Sequence, residues 1–397
     1  MIEQEQIRYW NDEPSDGIRV DWAKVRANFK KIVKKKYWHI IDFPFEEYSY
    51  SIQVSERTGW KTTNIVLLGL IVYRMYGIQL EYFRERAEHT TPKKLDTLYN
   101  PIVENGYIEK IFGDEWNDVQ YYGGFFRLIK RNELGKAEIV SSDYITHVIA
   151  NDSPDDYKSS YNTIRGDMVF FDEFVGIRSL PRSQYYFKQN LMTVLRKRQH
   201  GVIFMCANNI NFNNDFYADF GIRRDIRKLD AKNGDIADIN KNGTRFYFRI
   251  LPPDMSKEKQ HFNRKYFGYA ESGTAAITGG SWEMPDYPHI QPEWARCRPL
   301  VRNYYISHLG DLLRLTLCRP EKMGLICLVT GATRIYDDSR IFTVGEILDN
   351  RFIYKCGSQS AGYNLFWTLY KQNRWYYSTN EAGELVQAFI DAASKIR

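Results

Sequence analysis

The sequence predicts an α/β fold with a mostly parallel sheet, followed by a smaller α+β unit. Three observations carry that expectation. Met168-Val169-Phe170-Phe171 is an unbroken apolar run ending in Asp172-Glu173, and Val202-Ile203-Phe204-Met205-Cys206 is another, ending in Ala207-Asn208-Asn209. Such runs suit strands buried on both faces of a parallel sheet. Tyr48 to Val54 reads as a third strand, joined by a short loop to an apolar helix over Thr63 to Met75. Past residue 300 the texture changes: Asn303 to His308, Leu312 to Cys318 and Gly324 to Thr330 are separated by the turns Gly310-Asp311 and Pro320-Glu321-Lys322. That spacing predicts an antiparallel meander.

Taken in order, the chain opens on a basic segment. Arg19 to Ile40 holds eight Lys or Arg against one Asp, a local charge of +7 in a chain of +6. Trp22, Val25, Phe29, Ile32 and Val33 recur at helical spacing, with Lys24, Lys30, Lys31, Lys34 and Lys35 on the other sides. The pattern predicts an amphipathic helix whose basic face either meets a polyanion or is simply solvated. The strand Tyr48 to Val54 then runs into Ser55-Glu56-Arg57-Thr58-Gly59-Trp60-Lys61-Thr62. Strand, tight loop, Lys-Thr and buried helix is the layout of a phosphate-binding loop. Lys61 would reach the phosphates and Thr62 would offer a hydroxyl to Mg²⁺. The glycine pattern departs from the motif, because Ser55 and Trp60 stand where it has Gly. An ordinary strand–helix turn would also fit these residues.

Leu80 to Phe83 reads as a strand, and Tyr121 to Ile129 as another with a bulge at Gly123-Gly124. Asn151 to Ser160 reads as a loop. Asp172 and Glu173 then close an apolar strand where open α/β sheets keep their chemistry. In P-loop ATPases the first acid holds Mg²⁺ and the second activates water; a core strand entering a solvated turn would look similar. A helix after Pro181 and Ser183, with Phe187, Leu191, Val194 and Leu195 on one face, ends in Arg196-Lys197-Arg198. Asn208 ends the next strand. Asn233 to Gly243 reads as a loop, and the strand Arg245 to Leu251 stops at Pro252-Pro253. Ile341 to Val344, Arg351 to Tyr354 and an amphipathic helix through Leu385, Phe389, Ala393 and Ile396 complete the chain.

Five cysteines, odd in number and without CxxC spacing, argue against a disulfide framework and a structural zinc site, which points to a reducing cytoplasm. The start of the chain lacks an apolar signal region, and Ile65 to Val72 is too short to span a bilayer. The expected division is a basic N-terminal helical extension (1–45), a P-loop ATPase core (46–254), a linker (255–295) and a C-terminal domain (296–397).

With these residues in view, the chain resembles the DNA-packaging (encapsidation) ATPases of small podophages. The densest match holds Phe171-Asp172-Glu173-Phe174, then Asn190-Leu191-Met192, Val194, Arg196 and Arg198, then Asn208. Lys158-Ser159 and Tyr161 precede it, Arg57 and Lys61 match upstream, and Tyr305-Ile306-Ser307 and Gly324-Leu325-Ile326 match downstream. The resemblance implies a homo-oligomeric ring motor, a pentamer, that drives double-stranded DNA into a procapsid at its portal, with a packaging RNA as a further partner. It implies ATP and Mg²⁺ as cofactors, with Ser55, Arg57, Thr58, Gly59, Trp60, Lys61 and Thr62 around the nucleotide and Thr62 and Asp172 on the metal. Glu173 would be the catalytic base, Arg196 a finger reaching a neighbouring subunit, Lys158 a second trans-acting contact and Asn208 a γ-phosphate sensor. The C-terminal domain would be RNase H-like and vestigial, since Asn303 to His308 lacks the carboxylates a two-metal nuclease needs. A helicase-like replication ATPase remains an alternative, as does a nucleic-acid-binding structural protein with a dead phosphate loop.

Overall fold

The computed structural model describes residues 18–55, 60–152, 167–175, 182–195, 199–208, 214–227, 229, 235–251, 261, 287–321, 323–345, 347–354 and 361–395. The chain divides into two compact units, Met1–Asn211 with Asp219–Ser281, and Phe212–Ala218 with Trp282–Arg397.

The first unit is built on a ten-stranded sheet. Its strands are β1 (Tyr50–Val54), β2 (Leu80–Arg84), β3 (Asp118–Tyr122), β4 (Phe125–Arg131), β5 (Ala137–Val140), β6 (Thr146–Ala150), β7 (Met168–Asp172), β8 (Val202–Ala207), β9 (Ile236–Lys241) and β10 (Thr244–Ile250). The order is β3-β4-β6-β2-β7-β8-β1-β10-β9, with β5 beside β4. From β6 to β10 every pairing is parallel, and antiparallel strands close both edges. The central strands are buried on both faces, as their apolar runs predict.

Helix α1 (Trp22–Ile32) buries Val25 and Phe29, and α2 (Lys61–Tyr76) is buried nearly all round. Both helices, with Ile40, Phe43 and Phe45, belong to the same core as β2, β7 and β8. Residues 18–45 of the segment expected as an extension therefore share the core of the first unit. Lys30 and Lys31 at the end of α1, and Lys34 and Lys35 just after it, are exposed, while Arg26 pairs with Glu46. The helix expected after Pro181 is α3 (Ser183–Leu195), which buries Phe187, Leu191 and Val194.

Two local expectations are corrected. Tyr121 to Ile129 is not one bulged strand. Gly123 (φ 59°) and Gly124 (φ 91°) form a two-residue turn, and β3 and β4 are the arms of a hairpin. Asn233 to Gly243 is not wholly a loop, because β9 pairs with β10 through a turn at Asn242 (φ 52°) and Gly243 (φ 90°). Asn-Gly between strands is a strong hairpin signal, and here it outweighs the polar composition.

The second unit carries a six-stranded sheet, β15-β14-β11-β12-β13-β16. Strands β11 (Val301–His308), β12 (Asp311–Cys318) and β13 (Ile326–Gly331) form the expected meander. Asp311 opens β12 and is not in the turn, which is made by Leu309 (φ 52°) and Gly310 (φ 78°). Strands β14 (Arg340–Thr343), β15 (Phe352–Tyr354) and β16 (Trp375–Tyr377) add in parallel. Phe366 of α4 (Ala361–Lys371) and Leu385, Val386 and Phe389 of α5 (Asn380–Lys395) share this unit's core. The basic stretch Lys257 to Lys265 and the small-residue stretch Gly273 to Gly280 lie, His261 apart, outside the described residues.

Candidate active site

Strand β8 lies between β1 and β7, and all three run the same way. Val54 is level with Ala207, and Asp172 with Cys206, so the residues just past the end of each strand emerge at one sheet edge. This is the carboxyl edge, where open parallel sheets hold ligands.

Helix α2 starts directly at Lys61, and the residue before it, Trp60, is left-handed at φ 54°, ψ 15°. The loop thus keeps the backbone that glycine would supply at this position, but with an indole attached. Lys61 is 5% exposed. Its Nζ donates to Ser55 Oγ and to Asn208 Oδ1 at 3.2 Å. Thr62 Oγ1 donates to Asp172 Oδ1 at 3.1 Å. A lysine ammonium beside a helix N-terminus is a place for phosphate oxygens, since free N–H groups and the helix dipole both favour an anion there.

Asp172 is buried, and its other oxygen accepts from Tyr82 OH at 2.9 Å and Arg84 Nη1 at 3.1 Å. Burial raises its pKa, against the opposing pull of the Arg84 guanidinium. Glu173 has a left-handed backbone (φ 53°) and is half exposed. One of its oxygens accepts from Arg84 Nη2 at 2.6 Å and the other from Asn208 Nδ2 at 3.1 Å. Trp60, Lys61, Thr62, Thr63, Asp172, Glu173 and Asn208 line one cavity of about 410 Å³.

Behind the loop, the 3₁₀ turn Lys35–Ile40 rests on the start of α2. Asn64 Nδ2 donates to the Tyr37 carbonyl at 3.2 Å, and the Tyr37 and Trp60 rings lie 5.1 Å apart. Gln53 and Arg249 both donate to the His39 carbonyl at 3.3 Å. Burial, then the charges of Arg249 and Lys61, hold the His39 imidazole down at about pKa 4.

Of the residues singled out in the sequence, Ser55, Trp60, Lys61, Thr62, Asp172, Glu173 and Asn208 converge here. Arg57, Thr58, Gly59, Lys158 and Arg196 lie outside the described residues. Sequence reasoning missed Arg84 and Tyr82. They end and line β2, the neighbour of β7, so the strand-end rule that picked out Asp172 points to Arg84 as well.

The fold and the edge site define an α/β protein with a mostly parallel sheet and a polar cavity at its carboxyl edge. Two solved structures share that fold over nearly the whole chain. One is the Phi-28 gp11 DNA packaging motor, at TM-score 0.56 and 15% identity, covering 92% of this chain and 99% of that one. The other is the bacteriophage Phi-29 viral genome packaging motor assembly, at TM-score 0.55 and 12% identity, covering 87% of this chain and 96% of that one. No family model matches the sequence, and no curated protein matches it.

Proposed function

We propose that this chain is an ATP hydrolase that powers the packaging of double-stranded DNA into a phage procapsid. The observation that carries the reading is the convergence of Lys61 and Thr62, which open α2 after β1, with Asp172, Glu173 and Asn208, at the ends of the adjacent parallel strands β7 and β8, on one cavity. Full-length likeness to phage packaging motors supports the biological setting.

The residues fit a Mg²⁺ site: the Thr62 hydroxyl and a buried Asp172 carboxylate oxygen are hydrogen-bonded neighbours beside the phosphate position. Mg²⁺ is commonly held by one or two protein oxygens together with substrate phosphates and water, and when bound it would neutralise phosphate charge. Lys61 and the α2 N-terminus bind the β- and γ-phosphates. Glu173 accepts the proton of the attacking water, and Asn208, which spans Lys61 and Glu173, orients both groups. Because each Glu173 oxygen already holds a donor, taking that proton uses a second lone pair or displaces Arg84 or Asn208. Catalysis of phosphoryl transfer by positioning and charge stabilisation suits this set.

Glu173→Gln keeps ATP binding and stops turnover, whereas Lys61→Ala loses binding; hydrolysis at the wild-type rate in both variants defeats the proposal. Arg196 and Lys158 are proposed to act on a neighbouring subunit's nucleotide within a homo-oligomeric ring. Mixing Arg196→Ala with Glu173→Gln chains then restores part of the activity, because some interfaces carry an intact pair. The ring is taken to be a pentamer in the host cytoplasm, docked at the procapsid portal, with a packaging RNA as a further partner. The second unit is proposed to dock without cutting, so metal-dependent cleavage of plasmid by the full chain overturns that assignment.

A further inference from the structure

We propose that Trp60, backed by Tyr37, is the stacking platform for the nucleobase of the bound nucleoside triphosphate. The proposal rests on the reading of the cavity as a nucleotide site. Trp60 is the aromatic residue among the seven that line the cavity, and it immediately precedes Lys61, which marks the phosphate position. Trp60 is 42% exposed, so part of the residue is accessible to a ligand. It also occupies a left-handed backbone that a β-carbon disfavours and glycine adopts freely. Glycine would meet the backbone demand of the loop at lower cost, so what tryptophan adds is the ring.

That ring is held in place. Tyr37 lies against it at 5.1 Å with a 42° tilt, and the Tyr37 backbone is tied to α2 because its carbonyl accepts from Asn64 Nδ2. The indole thus has a ring neighbour within the chain, and Trp60 is at the same time one of the residues lining the cavity. A planar heteroaromatic ring tethered to phosphates at Lys61 is the occupant that matches both halves of the site. Stacking on an indole reads a π-face rather than a hydrogen-bonding edge. The platform should therefore select nucleoside triphosphates over inorganic triphosphate while discriminating weakly between adenine and guanine.

The test measures equilibrium binding of ATP, GTP and inorganic tripolyphosphate to the full chain, each with Mg²⁺. The wild type is compared with Trp60→Gly, which keeps the permitted backbone and removes the ring, and with Trp60→Phe. Base stacking is worth about 1–3 kcal/mol, or about 5- to 140-fold in affinity at 1.4 kcal/mol per factor of ten. Trp60→Gly should weaken ATP and GTP by that factor and leave tripolyphosphate within about twofold, and Trp60→Phe should recover most of the loss. Equal weakening of all three ligands would mean that Trp60 acts through the loop backbone, and the platform is then wrong. Unchanged ATP binding, with Trp60→Gly altering only the oligomeric state, would make the indole a subunit contact and also overturn it. If the wild type binds tripolyphosphate but gains nothing from the base, the platform alone fails. If it binds none of the three, the nucleotide site itself fails.

Discussion

Arg84→Leu tests the electrostatic architecture of the site most directly. Arg84 joins two carboxylates of very different exposure: the side chain of Asp172 is 9% exposed, that of Glu173 47%, and that of Arg84 itself 17%. Removing one partner of a buried pair costs about 3–5 kcal/mol, because the other charge is left in low dielectric. An exposed pair contributes about 0.2–1 kcal/mol. Arg84→Leu should therefore destabilise the first unit by about 3–5 kcal/mol, nearly all through Asp172, while Glu173→Gln costs less than about 1 kcal/mol. Adding Asp172→Asn to Arg84→Leu should return much of the loss, with a coupling of about 2 kcal/mol or more in a double-mutant cycle. The deficit should also depend on pH. Burial already raises the Asp172 pKa, and losing Arg84 removes the main influence opposing that rise. A group raised in the folded state contributes stability at low pH that is lost as pH climbs through its folded pKa. The gap to wild type should thus narrow on acidification and widen toward neutrality. Equilibrium urea unfolding of the full chain, reading the transition of the first unit, supplies the numbers. If Arg84→Leu costs no more than Glu173→Gln, the buried pairing of Arg84 with Asp172 is wrong.

His39 is held near pKa 4 against an ordinary 6.5, so its share of stability is present above pH 6.5 and lost as pH falls through that window. The difference is roughly 3 kcal/mol; His39→Gln should flatten the acid limb of the stability profile, and parallel wild-type and variant limbs would refute the assignment. Phe29 is fully buried, so Phe29→Ala should cost about 3–5 kcal/mol in thermal or urea unfolding, whereas a dispensable extension would show no change. Reversing Lys30, Lys31, Lys34 and Lys35 to Glu should leave that core intact. If the face grips a phosphate backbone, the slope of log K against log salt should fall by up to about 0.9 for each lost contact. A folded variant with the wild-type affinity and slope would mark the face as merely solvated.

Sequence alone determined the strands that matter most. Unbroken apolar runs at Met168–Phe171 and Val202–Cys206 suit strands buried on both faces of a parallel sheet, and both are central strands of the first unit's sheet. Their terminal residues Asp172, Glu173 and Asn208 were legible for the same reason, since polarity returns where the strand leaves the core. Hairpins were harder: Gly123-Gly124 was compatible with a bulge or a turn, and only cross-strand pairing of Asp118–Tyr122 with Phe125–Arg131 decided between them. Strand order was beyond local reading altogether. That β8 lies between β1 and β7, bringing Asn208 to both Lys61 and Glu173, depends on contacts about 150 and 35 residues apart. Arg84 was missed on the same account, because an arginine ending a strand looks like a solvated cap until β2 pairs with β7 and sets it against two carboxylates. The basic helix shows the limit most clearly. Its lysines are visible in the sequence, but only packing shows Val25 and Phe29 within the core of the first unit, because periodicity marks an apolar face without naming what covers it.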